Sequence, residues 1–418
     1  MTRLTDAGRR APAVTDGDGS KASGSAGEVF AAFLRLGCTS FGGPVAHLGY
    51  FREAFVVRRR WLADAAYADL VALCQFLPGP ASSQVGIAIG LGRAGLPGAL
   101  AAWTAFTLPS AIALVAFAYG FAALDAAAAA GWLRGLKIVA VAVVAQAVLG
   151  MARSLCPDRK RASLAILAAA IAALTPGAAG QIAAIALGGL AGVLLLGRTG
   201  EAQSHARFAV TVSRPFAVAA LAVFFALLVL LPVLAAASGG LGLRVVDSFY
   251  RTGSLVFGGG HVVLPLLQAE VVPPGWVGRD AFVAGYGAAQ AVPGPLFTFA
   301  AYLGAMLPGG VGGIGGAALC LTAIFLPSFL LVVGTLPFWE ALRARPLVRA
   351  ALGGVNAAVV GVLIAALYDP VWTGGVHGPA DFILAAAAFL LLTQWQVPPW
   401  AVVALCAGGG FVLARAGL

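Results

Sequence analysis

The chain has 418 residues, of which 61% are hydrophobic and only 10% are charged; its mean hydropathy is +0.95. A soluble domain carries about 25% charged residues, so this chain could not cover a soluble surface, and a cytosolic enzyme, a disordered chain and a nucleic-acid-binding module are excluded. The bilayer is the solvent for most of it, and the net charge of +10 reads as Lys and Arg retained in cytoplasmic loops, where they set topology.

Residues 1–27 are polar and lack an apolar core stretch, which reads as a flexible cytoplasmic tail rather than a cleaved signal peptide. About 13 apolar segments follow, at 28–57, 66–92, 95–124, 131–152, 162–175, 179–197, 216–237, 246–272, 281–307, 311–340, 348–368, 381–396 and 398–416. Gly42-Gly43-Pro44 interrupts the first and Pro78-Gly79-Pro80 the second. Each then becomes two half-helices too short to cross alone, so these segments are expected to be hairpins with their tips in the membrane. The five cysteines (Cys38, Cys74, Cys156, Cys320, Cys406) form no CxxC and read as small buried thiols. The four histidines are too scattered for a metal site, and no cofactor is expected.

The chain repeats itself. Arg35-Leu-Gly37 and Phe41-Gly42-Gly43 recur as Arg251-Thr-Gly253 and Phe257-Gly258-Gly259. Trp61 recurs as Trp276, Gln75-Phe-Leu-Pro78-Gly79-Pro80 as Gln290-Ala-Val-Pro293-Gly294-Pro295, and Leu108-Pro109-Ser110 as Leu326-Pro327-Ser328. Four matches in order define two homologous halves. The expected domains are a tail (1–27), a first repeat (28–197), a linker with one transmembrane helix (198–243) and a second repeat (244–418).

Charge placement sets orientation. With the hairpins entering and leaving on one side, the tail, Arg58-Arg59-Arg60, Arg93, Arg159-Lys160-Arg161 and the linker all face the cytoplasm. The extra segment at 216–237 then crosses outward, and the second half is inverted relative to the first. The expected fold is an all-α integral membrane protein of two inverted-topology halves with broken, re-entrant helices, the plan of many secondary transporters.

In that plan the breaks at Gly42-Gly43-Pro44, Pro78-Gly79-Pro80, Gly258-Gly259-Gly260 and Pro293-Gly294-Pro295 converge. Half-helix N-termini with free N–H groups would favour an anion there. Ser82, Ser83 and Gln84 occupy the first turn after one break, and the second copy offers only Thr298. Arg35 and Arg251 lie inside apolar half-helices, which costs at least about 2.5 kcal/mol at a membrane centre; they read as anion ligands or as snorkelling side chains. Gln75 and Gln290 either donate to substrate or cap carbonyls freed by the breaks. Lys137 is either a third cation at the site or an edge lysine. His47 and His261 either couple protons or pack as hydrogen-bonded side chains. No pair of carboxylates is evident within the spans, and no Walker motif is present, so an anion is favoured over a cation and ATP hydrolysis is not expected.

Arg35-x-Gly37, Phe41-Gly42-Gly43-Pro44 with His47, Arg59-Arg60-Trp61-Leu62, Leu73-Cys74-Gln75-x-Leu77-Pro78-Gly79-Pro80 and Leu108-Pro109-Ser110 resemble the signature of the chromate ion transporter family in its long, two-repeat form. Phe257-Gly258-Gly259-Gly260 through Pro293-Gly294-Pro295 resembles its C-terminal half, and the likeness covers nearly the whole chain after the tail. One conservative departure is Ser82-Ser83, where Ser-Thr is expected before the glutamine. The resemblance implies efflux of chromate across the bacterial inner membrane, chromate resistance, and energy from a transported ion rather than ATP. Sulfate, a tetrahedral mimic, would compete. Two other readings stand beside it: transport of sulfate or another oxyanion, and an intramembrane phosphate-handling enzyme using His47, His261 and Asp69. The lipid bilayer is the expected surroundings, no nucleic acid is expected, and the Gly-rich stretch at 309–316 would permit close packing within a protomer or in a homodimer.

Overall fold

The computed structural model describes residues 24–41, 43–122, 126–175, 178–196, 212–257, 260–343 and 345–416, and among them there is no strand. That follows from the composition: away from water, backbone N–H and C=O groups must pair within their own segment, and helices achieve this.

The first half runs through α1 (Ala26–Thr39), α2 (Gly43–Arg52), α3 (Asp64–Phe76), α4 (Ala81–Ala122), α5 (Ala126–Leu155), α6 (Arg159–Leu174) and α7 (Ala178–Leu195). Ser25 caps α1 by accepting the Glu28 amide at 3.1 Å. Helix α4 is really two helices, bent where Ala94 leaves helical geometry and Gly95 takes φ +64. A long apolar helix, α8 (Arg214–Ser238), separates the halves. The second half contains α9 (Leu241–Leu255), α10 (Val263–Val271), α11 (Arg279–Ala289), α12 (Phe299–Ala305) and α13 (Gly313–Thr335). It ends with α14 (Trp339–Arg343), α15 (Pro346–Ala366), α16 (Thr373–Gly375), α17 (Pro379–Thr393) and α18 (Pro399–Arg415). Short 3₁₀ turns at Gly260–Val262 and Leu296–Thr298 lead into α10 and α12.

The halves correspond element by element: α1 with α9, α3 with α11, the distal part of α4 with α13, α5 with α15, and α6–α7 with α17–α18. All four sequence breaks interrupt helices. Five stretches are long and apolar enough to span a membrane: Ala81–Gly120, Gly131–Leu155, Arg214–Ser238, Gly313–Phe338 and Pro346–Gly375. On α8, Phe225, Val229 and Val233 are exposed, as a lipid-facing surface requires.

Packing repeats with the same symmetry. Helix α1 lies along α4 and α9 along α13. Two glycines at equivalent positions permit this. A Cβ on Gly37 would sit 2.6 Å from the Ala105 carbonyl oxygen, and one on Gly253 would overlap that of Ile324. The later helices are exchanged: α5 packs on α17 and α18 of the second half, while α15 packs on α6 and α7 of the first. The repeats are therefore interlocked rather than set side by side.

Candidate functional site at the crossing of the helix breaks

A proline removes a backbone donor and crowds the preceding turn, and with two of them flanking a glycine α3 stops at Phe76, before Pro78-Gly79-Pro80. Gly79 and Gly294 take φ values of +124 and +95, a region that L side chains avoid. The Gly79 amide donates to the Val256 carbonyl at 2.6 Å, and the Gly294 amide donates to the Ser40 carbonyl at 2.9 Å. Val256 caps α9 and Ser40 caps α1. Each Pro-Gly-Pro turn thus docks on the end of the other half's first helix. The Leu-Pro-Ser repeat completes the joint: a Cβ on Gly79 would lie 2.7 Å from Ser328 Oγ, and one on Gly294 would lie 2.9 Å from Ser110 Oγ.

Beyond the first turn, Ser82, Ser83 and Gln84 are buried. The Gln84 amide returns to the Pro80 carbonyl at 3.0 Å, and its side-chain Nε2 donates to the Pro78 carbonyl at 2.6 Å. Ser83 Oγ and Gln84 Oε1 are buried without a partner. In the second copy Thr298 Oγ1 closes on the Pro295 carbonyl at 2.7 Å, leaving no hydroxyl free there.

His47 is 1% exposed. Its Nε2 donates to the Ser40 carbonyl at 3.2 Å and its Nδ1 lies 3.4 Å from Ser82 Oγ, so it ties the first break to the start of α4. The Ser40 carbonyl therefore accepts from both Gly294 and His47. His261 is held differently. Its Nδ1 is 2.8 Å from the Tyr286 hydroxyl, and its Nε2 faces Gly43 of the other half, 3.8 Å from where a Cβ would stand.

A cavity of about 60 Å³ opens here, lined by Ser40, Gly43, Gln146, His261, Gln290 and Gly294 together with apolar side chains. Both halves build it. Ser40 Oγ and Gln290 Nε2 are buried without hydrogen-bond partners; the Gln290 amide faces the Tyr286 hydroxyl without reaching bonding geometry. Gln146 donates its amide to the Leu392 carbonyl at 3.2 Å. Ser40, Gln146 and Tyr286 were not singled out by the sequence. For Ser40 one signal existed: it precedes the repeated Phe-Gly-Gly where the other copy has Val256.

The remaining sequence candidates lie elsewhere. Gln75 is exposed, unlike Gln290. Gly42, Gly258 and Gly259 fall outside the described residues. Arg35 is exposed, without an ion-pair partner among the described residues, in a second pocket of about 370 Å³ with Glu53, Arg58 and Arg59. Arg251 lines a third pocket, of about 450 Å³, with Arg244, Asp247 and Glu270. Lys137 pairs with Asp280 at 2.9 Å.

The apolar segment 246–272 holds a carboxylate pair that the sequence did not single out: Asp247 and Glu270, each with an 11% exposed side chain, both accept from Arg251 Nη2 at 3.0 Å. Glu270 arrives from α10, so the pair is a product of the α9–α10 turn and not of helical spacing. Among the described residues no group of His, Cys, Asp and Glu could hold a metal ion.

An apolar helical bundle with membrane-length helices, broken at four points that meet between two repeats, defines a multi-pass membrane protein. The chain belongs to the chromate transporter family, whose model (Chromate transporter) matches residues 27–193 and 243–411. It is 27% identical over 390 residues to a chromate transport protein of Pseudomonas aeruginosa, covering 91% of this chain and 90% of that one. A chromate transport protein of Cupriavidus metallidurans is 27% identical over 381 residues, 86% of each chain. An uncharacterized transporter of Bacillus subtilis is 34% identical over 160 residues, 37% of this chain and 78% of its own. No solved structure matches significantly.

Proposed function

We propose that this chain is a secondary transporter that exports chromate from the cytoplasm across a bacterial inner membrane and so confers chromate resistance. The observation that carries the reading is the cavity at the crossing of the breaks, to which both halves contribute and in which buried polar atoms stand unpartnered. Unsatisfied buried polar groups are uncommon in folded proteins and call for a ligand or water. Family membership and the names of the relatives supply the anion. The halves are inverted about the crossing, the N-terminus is cytoplasmic, and the shorter helices complete the crossings that the five long stretches begin.

The substrate sits in this cavity, where Gly43, Gln290 and Gly294 belong to the lining; Gly79 fixes the other Pro-Gly-Pro turn, and Ser82, Ser83 and Gln84, outside the lining, support the first break from behind through His47. Arg35 and Arg251 serve the two approaches. Around Arg35, three arginines face one glutamate, a surplus that gathers anions from the cytoplasm. Around Arg251, two arginines balance two carboxylates, and an anion leaves more readily from there. His47, fully engaged between Ser40 and Ser82, holds the joint; His261 faces the substrate.

Chromate accumulation in everted membrane vesicles tests this. Energy-dependent uptake by cells' vesicles bearing this chain, lost in Arg35→Ala and inhibited by sulfate, is the expected result. No uptake with folded protein present removes chromate as the substrate. Sulfate as the principal substrate is the alternative, favoured if sulfate accumulates faster than chromate. The enzyme reading gains no support from the geometry: His47, His261 and Asp69 engage Ser40 and Ser82, Tyr286, and Trp339 respectively.

A further inference from the structure

The repeat places an arginine at the same point of each half, and the two have different surroundings. Arg251 donates through one nitrogen, Nη2, to both Asp247 and Glu270 at 3.0 Å. Asp247 stands one turn before it on α9, and Glu270 comes from the end of α10. Arg251 Nε is buried without a partner, so the two carboxylates leave a donor on the guanidinium unused. The other cation of that pocket, Arg244, lies over the Trp276 ring at 5.5 Å. Helix α13, packed along α9, has no charged residue, and the only one on α8 is Arg214 at its far end. Arg35 has the reverse surroundings. The exposed Ala31 stands one turn before it, where the second half has Asp247, and Glu53 in its pocket pairs with Arg58 at 2.8 Å.

From this contrast we propose that Asp247 and Glu270 are built-in surrogates for the transported anion: they take Arg251 as the anion leaves and keep a released anion from rebinding on that face. The inference rests on the transport reading above and adds to it the groups that make the two faces unequal. An anion that reaches Arg35 meets three arginines and one carboxylate. An anion that returns to Arg251 meets two carboxylates already in contact with the guanidinium, and like charges brought together are costly. Rebinding requires the carboxylates to give up Arg251, and without their shared cation they repel each other. The competition is over charge rather than donors, because Arg251 Nε is unused. Asp247 and Glu270 thus act through Arg251, as positioning residues. The half-saturating concentration should be at least about tenfold higher on the Arg251 face than on the Arg35 face.

The test is initial uptake of radioactive chromate into vesicles of both orientations, with no potential and no other ion gradient. Everted vesicles present the cytoplasmic face and right-side-out vesicles the opposite one. Without a driving force Vmax/KM is the same from both sides, so the asymmetry is read in KM itself. Wild type should show a KM at least about tenfold higher in right-side-out vesicles. Asp247→Asn combined with Glu270→Gln should bring the two values together. Ala31→Asp gives the first half its missing carboxylate and should raise KM in everted vesicles. A purely structural role for the carboxylates would change the amount of active protein and leave the ratio of the two KM values in place. Equal KM values in wild type, or a folded double variant that keeps the difference, would overturn the proposal. If the double variant is not recovered folded, the wild-type comparison and Ala31→Asp decide the matter. Vesicles that take up no chromate in either orientation would instead overturn the functional reading.

Discussion

The amide of Gly79 donates to the carbonyl of Val256, and its counterpart Gly294 donates to the carbonyl of Ser40, at 2.6 and 2.9 Å. These reciprocal bonds join the two halves through the motifs the sequence repeats most faithfully. They explain why the turn is Pro-Gly-Pro: prolines stop the helix, and glycine supplies a positive φ that brings its amide to the other half.

Replacing that glycine tests the joint. In Gly79→Ala the new methyl would lie 2.5 Å from Gln84 Nε2 and 2.7 Å from Ser328 Oγ, and in Gly294→Ala 2.9 Å from Ser110 Oγ. Backbone strain and crowding together should cost about 1–3 kcal/mol. Each variant should unfold at lower temperature in detergent and lose most chromate transport. Wild-type unfolding and transport in both would show that the crossing does not depend on these turns.

The two arginines should behave differently although the repeat equates them. Arg35 is exposed and unpaired among the described residues, so Arg35→Ala should lower transport and leave thermal unfolding unchanged. Arg251 sits between two nearly buried carboxylates. Its loss leaves two like charges facing each other, a cost of about 1–3 kcal/mol after allowing for its partial exposure. Arg251→Ala should therefore be destabilised, and Asp247→Asn with Glu270→Gln should restore its stability. Equal stability of the two single variants would contradict this account.

How much of this could be read from the sequence depends on distance along the chain. The breaks were legible because Pro and Gly act locally. The repeat was legible as Phe-Gly-Gly, Pro-Gly-Pro and Leu-Pro-Ser in order. The pairing of Gly79 with Ser328, and of Arg251 with Glu270, was not, because both depend on how separate helices meet. Ser40 was passed over for a related reason: an unremarkable serine at a helix end becomes significant only when Gln290 and His261 are brought beside it.

The exchanged packing makes its own prediction. Gly135 of α5 lies against the backbone of Cys406 and Ala407 on α18, with the Ala407 Cα 2.6 Å from where its Cβ would stand. A large side chain there must push the helices apart, at a cost of about 1–3 kcal/mol or more. Gly135→Leu should reduce the yield of folded protein, while the same change at Gly150, which has open space around it, should be tolerated. Comparable yields of folded protein from both would argue against the interlocked arrangement.

Orientation remains the prediction with the widest reach, because export, vestibule charge and inverted halves all depend on it. Arg59 follows the first hairpin, and Arg279 opens α11 beside Asp369 and Thr373. If α8 crosses once between halves that each cross an even number of times, equivalent positions fall on opposite faces of the membrane. Single cysteines at positions 59 and 279, in a background freed of the exposed Cys38, should react with impermeant reagent from opposite sides of sealed vesicles. The basic residues at 58–60 should face the cytoplasm, as the excess of Lys and Arg requires. Labelling of both positions from one side would make the halves parallel, and it would place the Arg35 and Arg251 pockets on the same face, where they could not be entrance and exit.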